Sequence, residues 1–177
     1  LAVDDWISAA RLDSLRRGAE TEAGAPDWEA YARDRQQVAA LENPTARDAY
    51  LAAADGGNVR AMHNLAVLYA TGIDGKSAPA EAAKWFEMAA DYGMPDSQYN
   101  LGILYARGAG VDQDLAKSYK WFSIVAKAGD TDAATKRDEI RKALTQAQLK
   151  VAETQVADFQ PLARNEAANT VDIPKDW

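Results

Sequence analysis

The chain has 177 residues, 47% of them hydrophobic, a formal net charge of −7, one histidine and no cysteine. That length supports one helical domain. The acidic balance, with no face of clustered Lys and Arg, argues against nucleic acid and anionic membranes as partners, and the missing cysteine removes disulfides, thiolate zinc sites and cysteine nucleophiles.

The chain opens on Leu1 rather than Met and shows no leader segment, so it reads as a piece of a longer protein. No apolar run approaches the roughly 20 residues of a membrane span. Residues 4–18 predict a first helix, capped by Asp4 or Asp5 and striped by Trp6, Ile7, Ala10 and Leu15. After a loop over 18–26, Trp28, Tyr31, Val38 and Leu41 predict a second helix over 27–41. Pro44 then opens a helix that reaches residue 55.

From there the chain repeats itself. Ala61–Ala70 aligns with Ser97–Ala106, and Lys84–Trp85–Phe86 with Lys120–Trp121–Phe122, in a constant step of 36 residues without insertion. Gly57, Gly93 and Gly129 keep the same step. Each unit reads as helix, glycine-containing loop, helix, glycine stop. In the first copy Gly72 predicts a left-handed cap and Pro79 the start of the second helix, which runs to Ala90. In the second copy Gly108 and Gly110 form the loop, Asp114 is the expected N-cap and Gly129 the stop. Gly102, inside a helix, costs about 1 kcal/mol relative to Ala, so close helix packing is its expected compensation.

Beyond the repeats, the same step places a helix over 131–143, capped by Asp130 or Thr131, with Arg137 and Asp138 where the earlier copies carry core residues. Charge at that place suits a terminal unit whose outer face meets water. A last helix is expected over 146–159, ended by Pro161. The tail, 161–177, reads as extended or mobile, able to lie back across the helices through Ile173 and Trp177. The chain thus divides into N-terminal helices with a degenerate repeat helix (1–43), a solenoid (44–143), a capping helix (144–160) and the tail.

The pattern Ala61–x3–Leu65–Ala66–x2–Tyr69–x2–Gly72, repeated as Asn100–Leu101–Gly102–x2–Tyr105–x2–Gly108–x–Gly110–Val111, resembles the Sel1-like repeat, a relative of the tetratricopeptide repeat. The two Lys–Trp–Phe segments, each before a small-residue run ending in Gly, resemble it too. The resemblance implies an all-α, right-handed solenoid of antiparallel helix pairs, with each first helix on a concave face that takes a peptide or a partner's helix. Carried over by register, the groove residues are Arg60, His63, Asn64, Val67, Ala70 and Thr71, then Asp96, Tyr99, Asn100, Ile103, Ala106 and Arg107. Tyr99 and Arg107 are the expected anchors.

Catalysis is not expected. His63 is the single histidine and would need an orienting carboxylate and a nucleophile such as Ser97 or Ser118. Asp112–Asp114 and Asp130–Asp132 lack the further oxygens of a calcium loop, and helix capping accounts for them. No cofactor or metal is expected. The acidic, cysteine-free repeats, the following Gln146–Leu149 helix and the Trp-ended tail resemble the periplasmic repeat segments of membrane-anchored bacterial polarity scaffolds. That resemblance implies a non-catalytic scaffold with a protein or peptide partner. The alternative is a protein that binds or hydrolyses cell-wall peptidoglycan or β-lactams, or a regulator of a cell-wall enzyme.

Overall fold

A computed structural model describes residues 44–72 and 77–170. The helices expected over 4–18 and 27–41, and the residues Ile173 and Trp177, lie outside the described residues. Eight helices follow one another, with no strand among the described residues: α1 Pro44–Asp55, α2 Val59–Thr71, α3 Pro79–Asp91, α4 Pro95–Arg107, α5 Leu115–Lys127, α6 Thr131–Ala143, α7 Gln146–Asp158 and the short α8 Glu166–Thr170.

Local chemistry sets the starts. Asn58, Asp114 and Asp130 each accept a hydrogen bond from the backbone N–H three residues on. Their side chains thereby satisfy donors that the first helical turn leaves open. Pro79 and Pro95 need no such acceptor at the first position. Thr145 and Gln148 form a reciprocal capping box that starts α7. Glycines at positive φ follow α1 to α5, with Gly108 in the left-handed well, whereas α6 and α7 end on Leu144 and Phe159 in extended conformation. Gly72 also has positive φ, but at φ 115° and ψ 128° it lies outside the left-handed helical well expected for it.

The 36-residue step reappears as backbone hydrogen bonds. Gly57, Gly93 and Gly129 donate to Ala54, Ala90 and Ala126 respectively, and Ala78 and Asp114 donate to Tyr69 and Tyr105. Helix pairs α2/α3 and α4/α5 pack as hairpins, α1 packs on α2, α3 on α4, α5 on α6, and α7 on α5. The result is a right-handed solenoid with first helices in one layer and second helices in the other.

Burial runs through the stack as three contiguous clusters. Tyr50, Leu65 and Ala89 anchor the first, Ala66, Phe86, Leu101 and Trp121 the second, and Tyr99, Ile103, Phe122 and Ile140 the third. The core is built largely from alanines set against a few large rings, which brings backbones close. Gly102 shows this most sharply: a Cβ there would lie 2.8 Å from the Phe122 ring. The close approach lets Ser118 donate a 2.7 Å hydrogen bond to the Gly102 carbonyl. In the first repeat the same two positions are Ala66 and Ala82, both fully buried.

Candidate partner-binding face

The expected groove residues divide by burial. Arg60, Thr71 and Arg107 are exposed, while Asn64, Ala70 and Asp96 are half-buried. His63, Val67, Tyr99, Asn100, Ile103 and Ala106 are buried. Val67 lies in the second core cluster, Tyr99, Ile103 and Ala106 in the third. A side chain committed to the core presents nothing to a partner, so the accessible part of the face reduces to the two arginines, Thr71 and the half-buried residues. Thr71 itself donates to the Val67 carbonyl at 2.9 Å, which turns its hydroxyl back onto its own helix.

Register position 63/99 is the joint between successive first helices. His63 Nδ1 and Ser97 Oγ share a 2.8 Å hydrogen bond from α2 to α4. One repeat later the Tyr99 hydroxyl donates to the Asp132 carboxylate, from α4 to α6. Each ring also meets the phenylalanine of its own hairpin: His63 lies 5.7 Å from Phe86, and Tyr99 stands edge-on to Phe122 at 5.3 Å. Lys136 closes the second joint, with Nζ 2.9 Å from Asp132 and 5.6 Å from the Tyr99 ring centroid. The joint glues hairpin to hairpin.

The structure thus brings His63 together with Ser97, one of the two serines a nucleophilic reading requires. The third group of that reading is missing: among the described residues no carboxylate is hydrogen-bonded to the imidazole. Ser97 is 0% exposed, so no substrate carbonyl reaches its oxygen. The pair has the chemistry of a buried structural hydrogen bond.

Burial holds the His63 imidazole below its ordinary value of 6.5, and the nearby Asp96 charge offsets part of that shift. The folded chain therefore carries the ring neutral, while the unfolded chain protonates it near its ordinary value. Stability from this group is complete above about 6.5 and is lost as the pH falls from there toward the depressed folded value. The melting temperature of the unmodified chain should fall between pH 7 and pH 5 more steeply than that of His63→Gln. Parallel pH curves for the two proteins would refute this.

Asn64 and Asn100 occupy one register position but differ in fate. Asn64 sits beside the Tyr50 hydroxyl and partly offsets the burial that raises that phenol above its ordinary value. Asn100 is 0% exposed, and neither its amide nitrogen nor its oxygen has a hydrogen-bond partner among the described residues. By the 36-residue step, Tyr50 corresponds to Phe86, which has no hydroxyl to offer. Where α4 meets the second helices, the Tyr105 hydroxyl donates to Glu87 of α3 at 2.6 Å, and Lys117 of α5 lies 4.8 Å over its ring. Burial, reinforced by the Glu87 carboxylate, holds that phenol well above its ordinary value. Among the described residues no group of three His, Asp or Glu side chains is arranged to hold a metal, and no helix is long and apolar enough to cross a membrane.

The contacts missed at the sequence level lie in residues 159–170. Phe159 stands edge-on to Trp121 at 5.6 Å. Arg164 Nε donates to the Tyr92 carbonyl at 3.1 Å. Asn169 accepts from the Val59 N–H at 2.9 Å and donates to the Gly57 carbonyl at 3.0 Å. The tail does lie back across the helices, through these residues. Its only sequence signal is a set of isolated polar side chains in a segment poor in large apolar groups.

The solved structures that are similar include two Sel1-type proteins. One is c5321, a protective antigen present in uropathogenic Escherichia coli strains and displaying an SLR fold; the match has a TM-score of 0.60 and 23% identity and covers 84% of this chain and 36% of that one. The other is a Sel1 repeat protein from Oxalobacter formigenes, with a TM-score of 0.44, 30% identity and coverage of 63% of this chain and 46% of that one. The chain therefore spans less than half the length of either. Among curated proteins none matches. The family model described as the Sel1 repeat matches residues 59–93 and 95–130, the two units whose backbone hydrogen bonds repeat in step, so the chain carries two Sel1 repeats.

Proposed function

We propose that the chain is a non-catalytic interaction scaffold that holds a protein or peptide partner against the exposed margin of its first-helix layer. The observation that carries this reading is the stacking itself: hairpins sealed to one another by buried polar joints leave a rigid face with Arg60 and Arg107 exposed and without an ion pair among the described residues. On a chain of net charge −7, uncommitted guanidinium groups are the natural receptors for a partner's carboxylates, which they bind bidentately. Sel1 repeats generally mediate protein–protein contact, which supports the coarse reading. Tyr99, the other expected anchor, is 2% exposed, so the reading rests on the two arginines.

The test uses Arg107→Glu and Arg60→Glu. Capture of the partner should fall at least tenfold in the double variant, with helical content and melting temperature unchanged, since exposed surface changes typically fall within about 0.5 kcal/mol. Unchanged capture at unchanged stability would end the reading.

The finer part of the proposal is place. The resemblance to the polar organelle development protein PodJ of alphaproteobacteria supports a periplasmic segment of a membrane-anchored polarity factor. An alkaline phosphatase fused to the C-terminal end of the natural full-length protein should then be active, because that enzyme needs an oxidising compartment for its disulfides. An inactive fusion of normal abundance would place the repeats on the other side of the membrane.

A further inference from the structure

The tail contacts follow the repeat. Its residues run antiparallel to the chain that formed the solenoid, from α5 to the α3/α4 junction and on to the α1/α2 junction. Phe159 rests on Trp121, with Lys120 Nζ 4.2 Å from the indole and 5.6 Å from the Phe159 ring. The Leu162 N–H donates to the Asp91 carbonyl at 2.8 Å. Pro161 lies against Gly93, where a Cβ would sit 3.1 Å from its ring. Arg164 donates to the carbonyls of Tyr92 and Gly93, and Asn169 donates to that of Gly57. Gly57 and Gly93 are one register position, 36 residues apart. The tail thus reads the same outward carbonyl at two successive junctions. Asn58 completes the grip by donating to the Ala168 carbonyl at 2.7 Å.

We infer that this ridge of hairpin junctions is a peptide-binding track, distinct from the first-helix face, and that residues 159–170 are its occupant in cis, exchangeable with the same segment of a second copy of the chain. Three observations support exchange. The recognition groups on the ridge are mostly backbone carbonyls, which any copy's tail meets equally. Residues 160–167 are all exposed, so little core must open to release them. The segment follows α7 directly, so a change of backbone angles near Asp158–Gln160 redirects it, which is the low-barrier arrangement for swapping an element between protomers. Complementarity to this one sequence is what the ridge displays, so a second copy is the occupant it fits. In cis the segment sits at an effective concentration of about millimolar and masks the track until it loosens.

The test uses the full chain, unmodified and as Phe159→Ala/Asn169→Ala, with a fluorescein-labelled synthetic peptide of residues 157–170. The peptide should bind the double variant at least tenfold more tightly than the unmodified chain, and a peptide carrying Asn169→Ala should lose that binding. A second readout guards against a misfolded variant. Exchange of the Val59 amide hydrogen should quicken at least tenfold in the double variant, because its acceptor Asn169 Oδ1 is gone, and the peptide should slow it again. Equal binding to both chains, binding that ignores Asn169 in the peptide, or no binding to the double variant would each overturn the inference.

Discussion

Gly110→Ala should lower the melting temperature by roughly 10 °C. Gly110 has φ +75°, and a Cβ on it would lie 2.2 Å from the carbonyl carbon and oxygen of Pro79 and 2.5 Å from the Ala80 nitrogen. The loop of the second repeat is therefore seated on the first turn of α3 in the repeat before it. The left-handed conformation alone disfavours a side chain by about 1–2 kcal/mol. The contact adds about 1–3 kcal/mol, the scale for inserting atoms into a packed site, and the atoms met are backbone, which no rotamer change can move aside. Together that is about 2–5 kcal/mol of a total stability of about 5–15 kcal/mol, and each kcal/mol shifts the transition by roughly 2–4 °C in a chain of this size.

Gly129→Ala supplies the control. Gly129 also has positive φ, at +102°, but nothing lies within 4 Å of its Cβ position. Only the conformational part applies there, so its melting temperature should fall by a few degrees. Circular dichroism melts of the two variants compare backbone strain with strain plus collision. Coincident melts would mean that the junction of the repeats is not seated as described.

The repeat itself was open to reading because helix periodicity and glycine punctuation are local signals. Pro44, Pro79, Asp114, Asp130 and Thr131 mark helix starts by chemistry that acts within one turn, and the helices begin there. Which side of a first helix faces a groove is a different kind of fact. In a solenoid each first helix touches its own second helix and both neighbouring hairpins, so three of its sides are covered. A register carried over from a related fold assigns faces by analogy. It placed His63 and Tyr99 in the open, where the structure uses both as joints. Ser97 gave no warning either: its counterparts Ala61 and Ala133 are small and fully buried, and only the hydroxyl distinguishes it.

Asn100 shows another limit. A repeated Asn predicts a repeated role, but the surroundings change: Asn64 has the Tyr50 hydroxyl nearby, and the 36-residue counterpart of Tyr50 is Phe86, which has none. The tail was the least legible segment. Its grip uses backbone carbonyls at Asp91, Tyr92, Gly93 and Gly57, and every residue has a carbonyl, so no sequence pattern announces the receptor.

The other large effect is a reversal of sign. Phe122→Ala should cost about 3–5 kcal/mol, the usual loss for a buried phenylalanine, since the ring is fully buried and abuts both Tyr99 and Gly102. Gly102→Ala in the unmodified chain should also destabilise. Its gain of about 1 kcal/mol in helix propensity is opposed by three ring carbons of Phe122 at 2.8, 2.8 and 3.0 Å from the new methyl, and a ring wedged against Tyr99 has nowhere to move. With Phe122→Ala already in place the methyl meets a cavity. There Gly102→Ala should stabilise, through propensity and through partial filling of the space, so the two substitutions couple by about 1–3 kcal/mol, within the range for residues in contact. Ala66 against Phe86 is a natural comparison, since the first repeat keeps the alanine with its phenylalanine. Chemical denaturation of the two single variants and the double variant measures the coupling directly. If Gly102→Ala has the same sign in both backgrounds, Phe122 is not what requires glycine at that position.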